Sequence, residues 1–226
     1  MTHPIHSGVE QDEYFVDTPA FRTFIEDVRS IIAREREVDA ALNALQPRFA
    51  QLLADPTWLP EEFASPYEGS GMGGGIASWL LFRAGDKSLS LISLVVPPGS
   101  ETPIHDHLAW GFVGLYRGEQ RETVYARQEV IQGGSQPHTA GSDSVESVRL
   151  TVQQVNDLRP GDFYRLVPPD GDIHSVKTTS SEPSVSIHLL TNDIGCIIRH
   201  SFDLEQATVR AFRSGYSNVA CEEEAE

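Results

Sequence analysis

The stretch from Gly99 to Gly118 reads GSETPIHDHLAWGFVGLYRG and contains a His-x-His pair, His105 and His107. Side chains on a β-strand alternate between the two faces of the sheet, so on a strand both imidazoles would lie on one face. Imidazole is the commonest protein ligand for transition metals, and two neighbouring imidazoles supply half of a metal site. The pair therefore predicts a metal centre carried by a β-strand.

A second segment, from Gly161 to His174, reads GDFYRLVPPDGDIH. Together the two segments resemble the paired metal motifs of the cupin family, with one extra residue before the proline of the second. The resemblance implies a mainly β chain folded as a cupin double-stranded β-helix, or jelly-roll barrel, with His174 in the same cavity as His105 and His107. Cupins usually carry a glutamate ligand where this chain has Gly111, so the implied metal site consists of three histidines.

The run EPSVSIHLL, over residues 182–190, resembles the thiol dioxygenases, which include cysteine dioxygenase and the bacterial 3-mercaptopropionate dioxygenases. In that family a Ser-x-His-x-Tyr run forms linked hydrogen bonds beside an Fe(II) ion. Ser186 and His188 match its first two members, which implies catalytic roles for both. The tyrosine position is occupied by Leu190, an apolar candidate for the substrate-binding wall. Gly111 stands where the animal enzymes carry a cysteine cross-linked to that tyrosine.

Two further positions bear on substrate binding. Arg199 lies eleven residues after His188 and matches the substrate-carboxylate arginine of the 3-mercaptopropionate branch. A guanidinium forms a planar, paired contact with a carboxylate, although a structural salt bridge is an alternative role for this residue. The cysteine-selective branch has its arginine near the position of Trp79, which makes Trp79 a second substrate-binding candidate, with Arg83 close by.

From residue 76 onward, runs with β-strand character follow one another along the chain, separated by Pro, Gly, Asn and Asp. They cover residues 76–83, 88–96, 111–116, 120–127, 148–155, 162–166, 174–179, 185–190 and 195–201. Many short strands at regular spacing predict an antiparallel sandwich or barrel. Gln132–Ser147, rich in Gly and Ser, is predicted to be a hairpin tip or an insertion.

Helical patterning precedes these strands. Thr18 and Pro19 read as an N-cap and a first helical residue, and apolar residues then recur at helical spacing. The predicted organisation is a lead-in with helices packed on the barrel over residues 1–69, a glycine-rich connector over 70–75, the cupin barrel over 76–205, and a C-terminal extension with an acidic tail over 206–226.

Acidic residues outnumber basic ones by 33 to 17, a formal net charge of −16. This charge argues against nucleic acids and anionic membranes as partners. No early segment combines a basic start with an apolar run, and no apolar stretch approaches membrane-spanning length. Cys196 and Cys221 lack the spacing of a disulfide framework and favour a reducing compartment. We therefore predict a cytoplasmic protein; the sequence does not reveal its oligomeric state.

Three functions remain open from the sequence. The first is a non-haem Fe(II) dioxygenase of the thiol dioxygenase type, which would use O2 to oxidise a small mercaptocarboxylate, such as 3-mercaptopropionate or cysteine, to a sulfinate. The second uses the same metal on a non-thiol substrate such as an enolate or a diketone. The third is a non-catalytic cupin that binds a small ligand. Zinc, nickel and manganese also accept three histidine ligands, so the metal is open as well.

Overall fold

The computed structural model describes residues 11–69, 72–128 and 148–222. The predicted insertion at 132–147, the first two residues of the glycine-rich connector and the last four of the acidic tail lie outside these ranges. The described chain contains two α-helices, α1 (Pro19–Arg34) and α2 (Val38–Ala54), followed by a 3-10 turn at Glu61–Ala64. The predicted N-cap is confirmed, because the Thr18 hydroxyl accepts a hydrogen bond from the Phe21 amide at 3.2 Å.

Twelve strands are found in the described residues. They are β1 (Glu13–Tyr14), β2 (Ala77–Arg83), β3 (Leu89–Val96), β4 (Ile104–His105), β5 (Gly111–Arg117), β6 (Gln120–Gln128), β7 (Arg149–Leu158), β8 (Phe163–Leu166), β9 (Ile173–Thr178), β10 (Ser184–Thr191), β11 (Arg199–Asp203) and β12 (Thr208–Phe212). They form two antiparallel six-stranded sheets. The first sheet has the order β1-β2-β3-β10-β5-β8 and the second the order β12-β11-β4-β9-β6-β7.

The strand pairing is nested. β6 pairs with β7, and outward from this hairpin β5 pairs with β8, β4 with β9, and β3 with β10. Successive pairs alternate between the two sheets, which is how one long hairpin rolls up into a jelly roll. The predicted fold class, a mainly β double-stranded β-helix, is therefore confirmed. Since the nested pairs alternate, β4 and β9 are brought together in the second sheet.

The sheets extend beyond the predicted barrel at both ends. β1 pairs with β2 through Glu13 and Arg83, and β12 pairs with β11 along its whole length. The predicted strand over residues 195–201 begins only at Arg199, because residues 194–196 form a turn in which the Cys196 amide donates to the Asp193 carbonyl at 2.9 Å.

The helical layer packs on the first sheet. The Phe49 ring of α2 stacks on Phe112 of β5 with ring centroids 5.3 Å apart, and Phe163 of β8 meets both rings edge-on. Gly114 permits this close approach, because a β-carbon there would overlap the side chains of Leu53 and Phe49. Helices and sheet thus share one large apolar core, while the opposite face of the sheet points into the barrel.

The expectation of free cysteines is wrong, because Cys196 and Cys221 form a disulfide. The residues that follow β12 fold back against the turn that contains Cys196, and this return, which the spacing of the cysteines does not reveal, brings the two sulfurs together. The argument for a reducing compartment that rested on these residues therefore no longer holds. Neither α-helix is long and apolar enough to cross a membrane, nor is any other helix in the described ranges.

Candidate metal centre

Three buried histidines converge where the second sheet faces the barrel interior. His105 ends β4, His174 lies opposite it on β9, and their candidate ligand nitrogens lie within 4.8 Å of one another and of that of His107. His107 is not on the strand, contrary to the simple alternation expected, because β4 ends at His105. Its position is set instead by Asp172, whose carboxylate accepts the amides of His107 at 3.0 Å and Leu108 at 3.2 Å.

Each of the three imidazoles turns its Nδ1 atom toward an oxygen. His105 Nδ1 lies 2.9 Å from the Pro103 carbonyl, and His107 Nδ1 lies 3.4 Å from the Asp172 carbonyl. His174 Nδ1 lies 2.8 Å from the Glu122 carboxylate. An oxygen acceptor at Nδ1 holds the proton there and leaves Nε2 as the ligand atom. His174 Nε2 is buried and has no hydrogen-bond partner among the described residues, so the site fits a metal ion.

The electrostatics of the site favour neutral imidazoles at His105 and His107. Burial, followed by the charges of neighbouring histidines and Arg199, lowers the pKa of His105 and of His107 well below the usual value. Neutral histidine is the form that binds a metal. Burial opposes ionisation of Glu122, yet its hydrogen bond to His174 and the charge of that ring leave the pKa of this carboxyl lowered. Glu122 therefore stands as a carboxylate behind His174.

Sequence reasoning missed Glu122. It lies on β6, where Gln120, Glu122 and Val124 alternate inward while Arg121 is exposed. The sequence signal was its spacing: Glu122 lies two residues before Val124, the first clearly apolar residue of that strand, so both side chains face the same side of the sheet. A carboxylate that accepts from the far nitrogen of a ligating histidine orients the ring and increases its basicity.

Gly111 explains why no fourth protein ligand comes from the first motif. It pairs with Leu190 of β10, and a β-carbon at Gly111 would overlap the Leu189 carbonyl oxygen. A glutamate or cysteine at this position would require β10 to move. The expected replacement of the usual carboxylate by glycine is thus built into the packing of two neighbouring strands.

A cavity of about 200 Å³ opens beside the histidines. The residues around it are Met72, Ser78, Ile92, Leu94, Thr102, Pro103, His105, His107, His188, Ile194, Arg199, Ser201, Phe212, Arg213 and Ser214. Its chemistry is mixed, with apolar walls, several hydroxyls and two guanidinium groups. Such a space accommodates a small molecule with one polar end.

Ser186 and His188 form a hydrogen-bonded pair next to this centre. Ser186 Oγ lies 3.0 Å from His188 Nε2, and the His188 ring lies 6.1 Å from that of His107. His188 lines the cavity, whereas Ser186 does not. His188 Nδ1 is buried and lacks a partner among the described residues. Burial, with the charges of His174 and Arg199, lowers the pKa of His188 to about 3, so its ring is neutral.

Arg199 is brought to the same cavity, at the start of β11. Its guanidinium donates to the Asp106 carbonyl at 2.6 Å and to Ser214 Oγ at 2.8 Å, while its Nε has no partner in the described residues. Burial lowers the pKa of Arg199 to about 10, which leaves it cationic at neutral pH. The Asp106 carboxylate bonds to His200, and no described acidic side chain forms an ion pair with Arg199.

The structure does not bring the other two substrate-binding candidates to the cavity. The Trp79 indole donates to the Ser65 carbonyl at 2.9 Å and packs against Phe63 and Tyr67, in the core shared with the helical layer. Leu190 is fully buried in the barrel interior, behind the cavity residues Ile92 and Ile194. Its side chain contributes to the packing of the barrel and not to the surface of the cavity.

No tyrosine lines the cavity in the described part of the chain. Tyr164 comes nearest to the metal centre, but its hydroxyl lies 3.2 Å from His174 Nδ1, on the side of the ring away from the candidate ligand atom. Tyr116 packs edge-on against Trp58 in the core below the helices. Neither of these two tyrosines therefore presents its hydroxyl to the cavity.

No family model matches the sequence. Similar solved structures include a protein with a double-stranded β-helix domain from Klebsiella pneumoniae, at 15% identity, a TM-score of 0.38 and coverage of 60% of this chain and 89% of that one. Oxalate decarboxylase from Lactobacillus farciminis is similar at 14% identity and a TM-score of 0.38, over 59% of this chain and 32% of that one. A cupin domain of an XRE family transcriptional regulator from Enterobacter cloacae is similar at 18% identity and a TM-score of 0.32, over 51% of this chain and 94% of that one. At these identities the likeness concerns the fold and assigns no activity.

Proposed function

We propose that this protein is a non-haem Fe(II) dioxygenase that oxidises a small mercaptocarboxylate to its sulfinate. The observation that carries the proposal is Arg199, a buried cation without an acidic partner among the described residues, on the wall of the cavity that is also lined by His105 and His107. A buried charge is costly unless it is paired. An anionic substrate group would supply the missing partner at one end of the cavity, beside the histidines.

Bound iron would lower the pKa of a thiol and activate O2, and three neutral ligands would leave its positive charge undiminished for a thiolate. His105, His107 and His174 would hold the ion, each fixed by an oxygen acceptor at Nδ1. The Arg199 guanidinium would hold the substrate carboxylate and so fix the sulfur position. Such positioning is a major source of rate enhancement when two reactants must meet.

His188 would orient the substrate and oxygen from the first sheet. Its ring is held by Ser186 at Nε2, and its buried Nδ1 has no hydrogen-bond partner among the described residues. The side chains of Ile92, Leu94, Ile194 and Phe212 would exclude water from the remaining walls. These roles follow the resemblance to the thiol dioxygenases, except that no described tyrosine lines the cavity in place of the tyrosine that those enzymes carry.

A second candidate is a dioxygenase that acts on an enolate or a diketone. The same apolar walls favour it, since they suit a carbon-rich substrate. In that reaction Arg199 would stabilise the enolate oxygen. A third candidate is a metal-containing cupin that binds a small anion without turnover.

The test is oxygen uptake by protein loaded with Fe(II) under anaerobic conditions and challenged separately with 3-mercaptopropionate, cysteine, cysteamine and a β-diketone. We expect uptake with 3-mercaptopropionate or cysteine, matched by sulfinate in equal amount. Uptake with the diketone alone would establish the second candidate. Stoichiometric iron with no uptake for any compound would leave the binding protein as the remaining function.

The anchor role of Arg199 has its own test. We expect Arg199→Ala to raise the KM for a mercaptocarboxylate about 10- to 100-fold, the effect of losing a charge-assisted hydrogen bond, and to spare uncharged 2-mercaptoethanol. Arg121→Ala is the matched control, because Arg121 is an exposed arginine that pairs with Asp157 on the barrel surface. Equal losses for the acidic and the uncharged thiol would reject the anchor.

A further inference from the structure

Residues 213–222, called here the C-terminal strap, return from β12 to the first sheet. The strap follows the edge of β2: the Ser217 amide donates to the Ser78 carbonyl at 2.7 Å, and Ser217 Oγ accepts from the Ser78 amide at 3.0 Å. The Asn218 side chain bonds both backbone groups of Leu80, each at 3.0 Å. These bonds give the strap a fixed place beside the barrel, although it has no regular secondary structure.

The strap is also attached to the turn before β11. The Tyr216 hydroxyl donates to the Asp193 carboxylate and accepts from the Gly195 amide at 3.0 Å. The Gly215 amide donates to the Gly195 carbonyl at 2.9 Å. The Cys196–Cys221 disulfide closes this attachment covalently. The strap is therefore tied to β2 on one side and to the turn that leads into Arg199 on the other.

Two strap residues, Arg213 and Ser214, line the cavity at the histidines. Ser214 Oγ accepts from one terminal nitrogen of Arg199, and the Asp106 carbonyl accepts from the other. A guanidinium carries five N–H groups in one plane, so two fixed bonds set that plane and leave the remaining donors for a ligand. The orientation of the cation thus depends on a residue of the strap.

We propose that the C-terminal strap is part of the substrate site, with Ser214 as the positioning residue that aims the Arg199 guanidinium at an anionic group. The disulfide supports the position of Ser214, because it joins the strap to the turn that leads into Arg199. This inference rests on the proposed function in one respect, the use of Arg199 to hold a carboxylate. It adds that residues of the strap control selectivity for acidic over uncharged thiols.

The first test compares Ser214→Ala with Ser214→Thr in the iron-loaded protein. We expect Ser214→Ala to raise the KM for 3-mercaptopropionate about fivefold, the effect of one hydrogen bond, with kcat nearly unchanged and the KM for 2-mercaptoethanol unaffected. Ser214→Thr retains the hydroxyl and should restore most of the loss. An equal rise for both thiols, an unchanged KM, or a threonine variant as poor as the alanine variant would overturn the positioning role.

A binding measurement separates this inference from the proposed reaction. Calorimetric titration of anaerobic, metal-loaded protein with 3-mercaptopropionate and with 2-mercaptoethanol gives the ratio of two dissociation constants without turnover. If the wild type consumes no oxygen but binds the acid more tightly, and Ser214→Ala lowers that preference about fivefold, the inference stands and the dioxygenase proposal fails. If the wild type shows no preference for the acid, the inference fails.

The disulfide is tested with the double variant Cys196→Ser/Cys221→Ser, which removes the link and leaves no reactive thiol. We expect the preference for the acid to fall by about as much as in Ser214→Ala, with the metal content per folded molecule unchanged, and the two effects not to add, since both act through one contact. An unchanged preference in the folded double variant would show that the hydrogen bonds alone hold the strap, and would overturn the role of the disulfide.

Discussion

The two sheets of the barrel differ in burial and in what they contribute. In the first sheet every residue of β3 is buried, and the helices cover its outer face. In the second sheet the edge strand β7 is largely exposed, with Val152 at 59% and Val155 at 52% exposure. Yet the second sheet carries His105 and His174. The comparison teaches that the more deeply buried first sheet joins the helices in one core, whereas the less covered second sheet supplies two of the three candidate ligands.

The largest expected effect is on the stability of the core that the first sheet shares with the helices. Phe112→Ala removes a fully buried ring that contacts Phe49 and Phe163, and we expect the free energy of unfolding to fall by about 3–5 kcal/mol. Chemical denaturation of the metal-free protein measures this loss. The metal content of the folded fraction should stay the same, since no ligand contacts Phe112. A loss below 1 kcal/mol would mean that the helical layer is not part of one cooperative core.

A smaller effect is expected behind the metal centre. Glu122→Gln keeps the shape of the side chain but removes the negative charge beside His174 Nδ1. We expect the metal affinity to fall about 10- to 100-fold, with little change in the stability of the metal-free protein. Competition with a metal chelator measures this affinity. The control is Glu119→Gln, because Glu119 is exposed and directly precedes β6. Equal affinities in both variants would contradict a role for the Glu122 charge.

The pH dependence of stability should report on His188 of the first sheet. The pKa of His188 is about 3 in the folded protein against 6.5 for an unperturbed histidine, so its stabilising effect is complete above pH 6.5 and is lost as the pH falls. For this residue alone we expect a loss of about 1 kcal/mol between pH 7.5 and 5.5.

The measurement is a series of unfolding curves for metal-free wild type and His188→Gln at several pH values. The difference between the two profiles isolates His188 from the ligand histidines, which are also buried. We expect the variant to lose less stability over this range. Parallel profiles would mean that the ring takes up its proton in the folded protein and that the pocket opens to water on acidification.

The smallest effect is expected at the exposed edge. Val155→Thr on β7 should change the free energy of unfolding by no more than about 0.5 kcal/mol, because the side chain is already half in water. The same substitution at Val185 on β10, where exposure is 1%, should cost about 1–3 kcal/mol through burial of an unpaired hydroxyl. Thermal unfolding of the two variants gives the contrast. Similar losses would mean that β7 is covered in solution.

Much of the fold could be predicted from local pattern. The run at 88–96 is a strand because apolar β-formers follow one another between turn residues, and the structure places β3 there. The three histidines converge as expected from their motifs. Local pattern does not encode long-range pairing, however. The nested order of strands, and the return of the chain end to Cys196, depend on contacts between residues far apart in sequence.

Within the site, the features that were missed share one cause. Glu122 acts through His174, Asp172 through the amides of the His107 loop, and Ser214 through Arg199. None of these three residues belongs to a recognisable sequence motif. The role of each depends on the atom that it contacts in the folded protein. Trp79 shows the converse, since position along the chain suggested a substrate contact while the strand turns that side chain toward the helices.

The close packing at Gly111 also has an evolutionary consequence. A barrel that can accept a carboxylate there can gain or lose a fourth ligand by a single codon change, and can exchange one metal chemistry for another. In this chain β10 occupies that space, with the Leu189 carbonyl where the new β-carbon would lie. A mutational path to a four-ligand centre must therefore first shift the register or the bend of β10. Laboratory selection for such a centre should recover substitutions on β10 before any at position 111.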